Sequence, residues 1–397
     1  MAAKAAQLVY RGSVKNIRQV TAPKGKTPGR YIFEFTDDYS VFDYGKMPDR
    51  LTGKGAALAM MSAYLFEELA SPKAWQALFR DSKKWEKIGG NRMRSRLMRS
   101  TAGRKVREQG LATHYIGLLD RQGKVKRLNQ LREPTNKLLV KAVPVISPSP
   151  LSLAGNIVWD YSMFHPGLAQ FLVPLENVFR FGVPKGSSLL KRLKKNPDYL
   201  RQIGLEKIPR EGQWLDRPVL EFFSKLEPSD RLLSGEAALN FSGLNGDSLQ
   251  ELIDLCLLTA VFLYNLFLER GLDLWDGKFE FVKSGNELLL ADSITPDELR
   301  ITLKGTQLSK EPLRQYYKKS DPEFHLAINA IKDQGPQAGS IRKAVKSYLG
   351  RSPKRLDKEF KTIIEQMYQA LVCRITASEL PTGSMALEDV VYHLKKL

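Results

Sequence analysis

Between Asp254 and Glu269 the chain carries neither a charge nor a proline, and it runs through leucines together with Val261, Phe262, Tyr264 and Phe267. A stretch this apolar has to leave water. It falls short of the roughly 20 residues that span a bilayer, so it predicts a helix buried in the core of a soluble protein. Ser248-Leu-Gln-Glu251 precedes it as a capping box, in which a Ser hydroxyl and a Glu carboxylate satisfy each other's backbone donors. Gly271 follows where a left-handed cap is common. The spacing therefore predicts a helix over 248–270, and the rest of the chain has to cover it.

A chain of 397 residues exceeds one ordinary core, which predicts two lobes with attachments. With 43% hydrophobic and 26% charged residues it has enough apolar side chains to fill them. The net charge of +19 calls for an anionic partner. Its densest cluster runs from Lys83 through Arg92, Arg94, Arg96 and Arg99 to Arg107, with Glu86 the single acid inside and Met93, Leu97 and Met98 interleaved. Charge alone is a footprint without base readout, so the cluster reads as a solvated surface insertion ahead of a nucleic-acid contact. Phosphorylated small substrates also account for part of the positive field. Cys256 and Cys373 sit in helix-like patterns, and with four scattered histidines they make no zinc site. They read as buried, reduced thiols. Met1 to Gln7 has one Lys and no apolar run after it, which does not fit a secretory signal.

Tyr31 to Thr36 is rich in aromatic and β-branched residues and predicts a strand, broken by Asp37-Asp-Tyr-Ser40. Ala56 to Leu69 follows with helical spacing. From Ser71 to Gln109 the chain reads as a basic, mostly helical insertion, and Lys137 to Lys141 as a returning strand. Pro144, Pro148 and Pro150 then predict a stretch without regular structure and a boundary. In the excursion after them, Trp159, Tyr161 and Phe164 suggest packing against a lobe. The tail from Pro353 has helical spacing at Phe360, Ile363, Ile364, Met367 and Leu371. The expected organisation is an N-terminal β-rich lobe over 1–143 with its basic insertion near 70–109, a connection over 144–172, a second lobe over 173–345 and a helical extension over 346–397.

Lys278 to Lys283 and Glu287 to Ala291 form a hairpin by composition. Lys278 and Glu280 share one face of the first strand, and Phe279 and Phe281 the other. A three-residue loop, Ser284 to Asn286, brings Asp292 opposite Lys278 on that charged face. A two-residue loop puts Asp292 on the wrong face, unless the strand has already ended there. Glu, Asp and Lys held together make a hard oxygen site for Mg²⁺ and a nucleotide phosphate. Taken alone, the pattern reads as the solvated charged face of an edge hairpin ahead of a metal site.

Read in order, several segments resemble the SAICAR synthetase family, whose members join aspartate to an imidazole carboxylate. Tyr10-Arg-Gly-Ser-Val-Lys15 is similar to the family's opening glycine loop. Thr36-Asp-Asp-Tyr-Ser-Val-Phe-Asp43 with Lys54-Gly55 resembles its second motif, and Leu139-Val-Lys141 a strand whose Lys meets ATP. Val173-Pro-Leu-Glu176, Arg180 and Gly186-Ser-Ser-Leu-Leu-Lys-Arg192 are similar to the imidazole ribonucleotide segment, and Pro218, Lys225 and Asp230 to a loop at the nucleotide. Trp275-Asp-Gly-Lys-Phe-Glu-Phe281 and Ala291-Asp-Ser-Ile-Thr-Pro-Asp-Glu-Leu-Arg300 resemble the magnesium and substrate motifs, and Ser309-Lys310 with Arg314 a late basic pair. The resemblance covers roughly 8–60, 110–143 and 173–330. Ser13 stands where the family usually has Lys, Ser293 where it usually has Glu, and one extra residue separates Arg180 from Gly186.

The resemblance implies an α+β fold of two lobes, an antiparallel N-terminal lobe that covers ATP and a larger α+β lobe behind it. It implies an ATP-dependent ligase of purine biosynthesis, joining carboxyaminoimidazole ribonucleotide and aspartate through an acyl phosphate with Mg²⁺, in the cytoplasm and away from membranes. ATP is then met by Gly12, Ser13, Lys15, Lys141, Glu176, Lys225, Asp230 and Lys278, and Mg²⁺ by Glu280 and Asp292. Ser40, Asp43, Arg180, Ser187, Arg300, Lys310 and Arg314 contact substrates, with Arg180, Ser187 and Arg300 on the ribonucleotide phosphate. Lys191 and Asp297 fall to the second carboxylate substrate and its amine. His114 receives no role, and Asp276 reads as either a turn residue or a site group. A ligase for another heterocyclic carboxylate or amine, and a non-enzymatic nucleic-acid-binding protein, are the alternatives; self-association is left open.

Overall fold

The computed structural model describes residues 6–333, 341–379 and 383–396; residues 1–5, where a signal was sought, lie outside that range. The chain opens with β1 (Gln7–Arg11), β2 (Lys15–Thr21) and β3 (Gly29–Phe35). Helix α1 (Lys54–Leu69) follows, then α2 (Pro72–Arg80), α3 (Gly90–Arg99) and α4 (Thr101–Gln109). Strands β4 (Tyr115–Leu119), β5 (Val125–Lys126) and β6 (Lys137–Ala142) complete a six-stranded antiparallel sheet in the order β1-β2-β3-β6-β4-β5. Gly55 lets α1 start against the end of β3, since a Cβ there would lie 2.7 Å from the Phe35 carbonyl oxygen.

The basic segment departs from the expectation of a surface insertion. Trp75, Trp85, Leu97 and Val106 are buried in the main core. Its cations face acids of the long apolar helix: Arg96 lies 2.7 Å from Asp254, Lys105 2.6 Å from Glu251, and Lys84 2.5 Å from Glu269. Composition displayed the charges but not the two tryptophans' role as anchors.

The proline-rich stretch is also more regular than expected. β7 (Ser149–Leu153) and β8 (Asn156–Asp160) pair as a separate two-stranded ribbon with Pro150 opposite Trp159. Each strand of such a ribbon has an outer edge, where a missing N–H leaves no ladder bond unmade. Beyond it Tyr161 and Phe164 are buried in the core and Trp159 packs against it, as their aromatic character suggested.

The second lobe contains β9 (Gln170–Leu172), β10 (Leu175–Gly182), α5 (Ser188–Lys195), α6 (Tyr199–Gln202), β11 (Trp214–Ser224), β12 (Leu232–Leu233) and α7 (Gly235–Ser242). Then come α8 (Gly246–Glu269), β13 (Asp273–Ser284), β14 (Glu287–Ala291), β15 (Leu299–Leu303) and β16 (Thr306–Gln307). Its strands form an eight-stranded sheet in the order β12-β11-β10-β13-β15-β16, with β9 and β14 also paired to β13. The chain continues through α9 (Glu311–Ser320), α10 (Pro322–Asp333), α11 (Ile341–Leu349), α12 (Lys358–Thr376) and α13 (Leu387–Lys396). The tail residues Phe360, Ile363, Ile364, Met367 and Leu371 are the buried face of α12, which packs on α1.

Helix α8 is the apolar stretch, and it starts earlier than the sequence suggested. Asn245, not Ser248, is the cap: its Oδ1 accepts from Ser248 N at 2.9 Å. Gly271 follows with φ 72°, as expected. By length and composition α8 could cross a membrane, but 78% of its most apolar window is buried inside this molecule.

The hairpin resolves the question of its loop. Ser284 pairs with Glu287, leaving two residues, Gly285 and Asn286, in the turn. β14 ends at Ala291, and Asp292 adopts a left-handed backbone with φ 61°. Of the two loops considered, the two-residue one is present, and Asp292 escapes the face that strand alternation would have assigned it because the strand has already ended. The two sheets meet beside it: Leu290 N donates to Ala112 O at 3.0 Å, His114 N donates to Leu290 O at 2.9 Å, and Thr113 bridges Leu290 in parallel.

Candidate active site

Charge gathers where the sheets meet. Lys15, at the start of β2, is hydrogen-bonded through Nζ to Asp292 Oδ1, so one ion pair ties the N-terminal sheet to the hairpin. The same ammonium lies 4.3 Å from the centroid of the Phe33 ring. His114 Nε2 sits 2.8 Å from the Asp292 carbonyl oxygen. Burial, only partly opposed by Asp292, holds its imidazole down to about 4, so near neutrality it is an uncharged N–H donor to that carbonyl.

Glu176 on β10, Lys225 just past β11, and Lys278 and Glu280 on β13 form the other half. Lys225 Nζ is 2.9 Å from Glu176 and 2.8 Å from Glu280; Lys278 Nζ is 2.7 Å and 3.8 Å from the same two carboxylates. The predicted pairing of Lys278 with Glu280 on one face is present. Burial raises the Glu280 carboxyl and the charge of Asp292 raises it further, against Lys225 and Lys278. Burial would raise Asp292 too, but Lys15 outweighs it and the carboxyl is held at about 2. Asp230 is pushed up by burial and then by Glu176, which puts it within reach of the same cluster. Gly12 and Ser13 form the tight turn before Lys15, with Gly12 N donating to Lys15 O at 3.0 Å and no room for a Cβ. Lys141 is exposed and lines a separate small pocket with Lys105, Glu251 and Glu287. Its backbone N donates to His114 O at 2.7 Å and its charge reaches the His114 imidazole, but it forms no ion pair with Glu176, Glu280 or Asp292 among the described residues. Ser40 lies in the loop after β3, and Asp43, on the same loop, is exposed and paired with Lys332.

A second network surrounds Arg180, and it corrects the expectation that this residue is free to grip a phosphate. Arg180 is 5% exposed. Its Nε is hydrogen-bonded to Glu221 and its Nη1 lies 2.6 Å from Asp276. Glu221 also accepts from Arg192 and from Tyr199, each at 2.6 Å. Arg300 differs: its Nε is 3.6 Å from Asp276, and its Nη1 is buried with no hydrogen-bond partner among the described residues. Asp276 thus lies within β13, between two arginines, and is not a turn residue.

Asp297 is likewise more committed than expected. Lys54 Nζ lies 3.0 Å from its Oδ2, Lys310 Nζ 3.5 Å from the same oxygen, and Tyr368 donates to Oδ1 at 2.8 Å. Burial would raise this carboxyl, but Lys310 and Lys54 hold it below the usual range. Ser187 is buried, and its hydroxyl caps α5 by accepting from Leu189 N. Ser187, Lys191 and Arg314 do converge, with Lys185 and Lys318, on a cavity of about 930 Å³.

Sequence reasoning assigned no role to Lys54, Glu221 or Tyr368, whose side chains enter these networks. Lys54 had a signal, a lone cation between two glycines at the head of an apolar helix. Glu221 had one too, an acid within an apolar strand. Tyr368 had none, because its ring fits the apolar periodicity of α12 and only its hydroxyl reaches Asp297.

The sequence pattern that defines SAICAR synthetases matches residues 8–146 and 169–330. A relative from Archaeoglobus fulgidus, provisionally named phosphoribosylaminoimidazole-succinocarboxamide synthase, is 33% identical over 97% of this chain and 99% of its own. The Thermoplasma acidophilum enzyme of that name is 25% identical over 83% of this chain and 88% of its own. Among solved structures, the Saccharomyces cerevisiae SAICAR synthase, crystallised with SAICAR, has a TM-score of 0.53 at 18% identity, covering 94% of this chain and 95% of its own; that likeness is one of fold.

Proposed function

The chain belongs to the SAICAR synthetase family, and on that premise we propose that it is an ATP-dependent carbon–nitrogen ligase of purine biosynthesis, joining carboxyaminoimidazole ribonucleotide to aspartate. The observation that carries the reading is the meeting of Lys15, Lys225, Lys278, Glu176, Glu280 and Asp292 at the junction of the two sheets, contributed by segments inside the family match.

A carboxylate is a poor electrophile because its leaving group would be oxide. Transfer of the γ-phosphoryl group of ATP to the imidazole carboxylate supplies phosphate as a leaving group, after which the amine displaces it. The protein's task is to align the reactants and to neutralise the transferring phosphate. Lys15, Lys225 and Lys278 are the cations for that charge, with Glu176 holding two of the ammonium groups in place. Gly12 and Ser13 bring backbone close to the nucleotide, and Asp230 joins the same charged cluster.

Among the described residues no group of three or more His, Cys, Asp or Glu side chains forms a metal site. Mg²⁺ needs none, since it keeps several waters and takes one or two carboxylates with substrate phosphates. Glu280 and Asp292 suit it: they are oxygen donors near enough for Asp292 to raise the Glu280 carboxyl. Mg²⁺ held there would neutralise phosphate charge. Arg300, with an unused buried N–H, is the stronger candidate for the ribonucleotide phosphate, and Arg180 supports it through Asp276. Ser187, Lys191 and Arg314 border the basic cavity, whose charge suits an anionic substrate. A cytoplasmic setting accompanies this reading. The alternative of nucleic-acid binding loses support, because three cations of the basic cluster, Lys84, Arg96 and Lys105, are paired to α8 and Trp85 is buried in the core.

Purified protein with ATP, Mg²⁺, carboxyaminoimidazole ribonucleotide and aspartate should release ADP and form the succinyl product in equal amounts. ATP turnover only with another amine would move the reading to a divergent ligase, and the absence of any would sink it.

A further inference from the structure

The turn from Thr295 to Arg300 holds two adjacent carboxylates in opposite circumstances. Asp297 has both oxygens engaged by Lys54, Lys310 and Tyr368, so it is a fixed strut. Glu298 accepts one hydrogen bond, at Oε2 from Thr295 Oγ1; its other oxygen takes none from a described residue and is absent from the buried, unsatisfied atoms. Its backbone is pinned at both ends, N donating to Thr295 O at 3.0 Å and O accepting from Lys278 N at 3.3 Å. It therefore stands in the chain between Asp292 and Arg300, which the ligase reading gives to the magnesium nucleotide and to the ribonucleotide. The bond-forming carbon has to lie between those two ligands.

Amide formation needs a proton acceptor. Near neutrality the amine of aspartate arrives as an ammonium; it gives up one proton to free its lone pair, the nitrogen attacks the acyl carbon and the C–N bond forms, the C–O bond to phosphate breaks with its electron pair leaving on phosphate, and the nitrogen sheds its second proton to that phosphate. We propose that Glu298 is the catalytic base that takes the first of these protons, while Asp297, locked by Lys54 and Tyr368, only positions it. This rests on the ligase reading.

The surroundings suit the role. Burial pushes the Glu298 carboxyl up to about 7; Lys310 and Thr295 oppose that, and the charges of Asp297 and Asp292 add to it. Tyr368 is close enough to feel the Glu298 charge. A base is most effective when it titrates near the working pH.

The test uses the full-length protein with ATP, Mg²⁺ and carboxyaminoimidazole ribonucleotide, offered either aspartate or hydroxylamine. Hydroxylamine is already unprotonated at neutral pH and traps an acyl phosphate without help from a base. Glu298→Gln should raise the ratio of hydroxamate to amide product by about 100-fold or more, the usual contribution of a general base. Its residual amide rate should climb with pH without the inflection near 7 of the parent. Glu298→Asp, which keeps a carboxylate, should recover part of the amide rate. Equal loss of both products in a folded Glu298→Gln protein would overturn the proposal, as would an unchanged ratio. Failure of the parent protein to make ATP-dependent hydroxamate would instead strike the ligase reading beneath it.

Discussion

The ammonium of Lys54, wholly buried at the first residue of α1, lies 3.0 Å from the Asp297 carboxylate, which is 2% exposed. Two segments far apart in the chain are thus held by a charge pair with almost no water to screen it. Removing one partner strands the other: Lys54→Met should destabilise the protein by about 3–5 kcal/mol. Lys54→Met with Asp297→Leu should recover much of that loss while abolishing turnover. Urea unfolding of the two variants checks both.

Asp292→Asn keeps size and an oxygen but removes the charge that faces Lys15. Unit charges 4 Å apart interact by about 4 kcal/mol at an effective dielectric near 20, so even partial loss should slow ADP release by orders of magnitude while the fold persists. The acid limb follows by sign. The carboxyl is held at about 2, below its ordinary 3.8, so the stability it contributes is present above about 4 and is lost as pH falls toward 2. Lys15→Met should flatten that part of the stability profile, read by thermal melting from pH 5 to pH 2.

Arg300→Ala should raise the Michaelis constant for the ribonucleotide far more than that for ATP. Loss of a charge-assisted contact costs about 1.5–3 kcal/mol, or about 10- to 150-fold. Arg180→Ala should behave differently, because it leaves Glu221 and Asp276 buried without their main cation. A stability loss of about 3–5 kcal/mol is expected before any kinetic effect can be read. Equal kinetic effects in two equally stable variants would remove the distinction.

Tyr368→Phe deletes a hydroxyl that donates to a buried carboxylate. The expected loss is about 1.5–3 kcal/mol of stability, the range for hydrogen bonds to charged groups. A fall in kcat with little change in KM for ATP is also expected. Steady-state kinetics with each substrate varied would separate the two constants, and unchanged kinetics would confine Tyr368 to a structural role.

Trp85→Ala tests how the basic segment is attached. Trp85 is fully buried and its Nε1 donates to Leu78 O at 3.0 Å. Truncation should cost about 3–5 kcal/mol. A loss below about 1 kcal/mol, measured by denaturant unfolding, would return the segment to the status of an appendage.

Patterns that repeat along the chain were legible before the structure. The uncharged stretch in α8, the apolar spacing of α12 and the charge alternation of β13 each follow from a local period, and each is present. What escaped depends on one backbone angle or on partners distant in sequence. The Asp292 carboxylate reaches Lys15 because the strand ends at Ala291 and the next residue turns left-handed. Whether Arg180 is free depends on Glu221, 41 residues away. Lys83 to Arg107 looked solvated because the acids opposite it lie on α8, and no local period relates the two.

The backbone bonds joining residues 112–114 to Leu290 bind the two sheets along one margin, as a spine binds two covers. His114 and Asp292 lie in that spine, whereas Lys15 reaches Asp292 from β2, three strands away from β4 in the order of the sheet. The Lys15–Asp292 pair is then the clasp of the book, a side-chain tie that reaches back from the far strands of one cover to the spine.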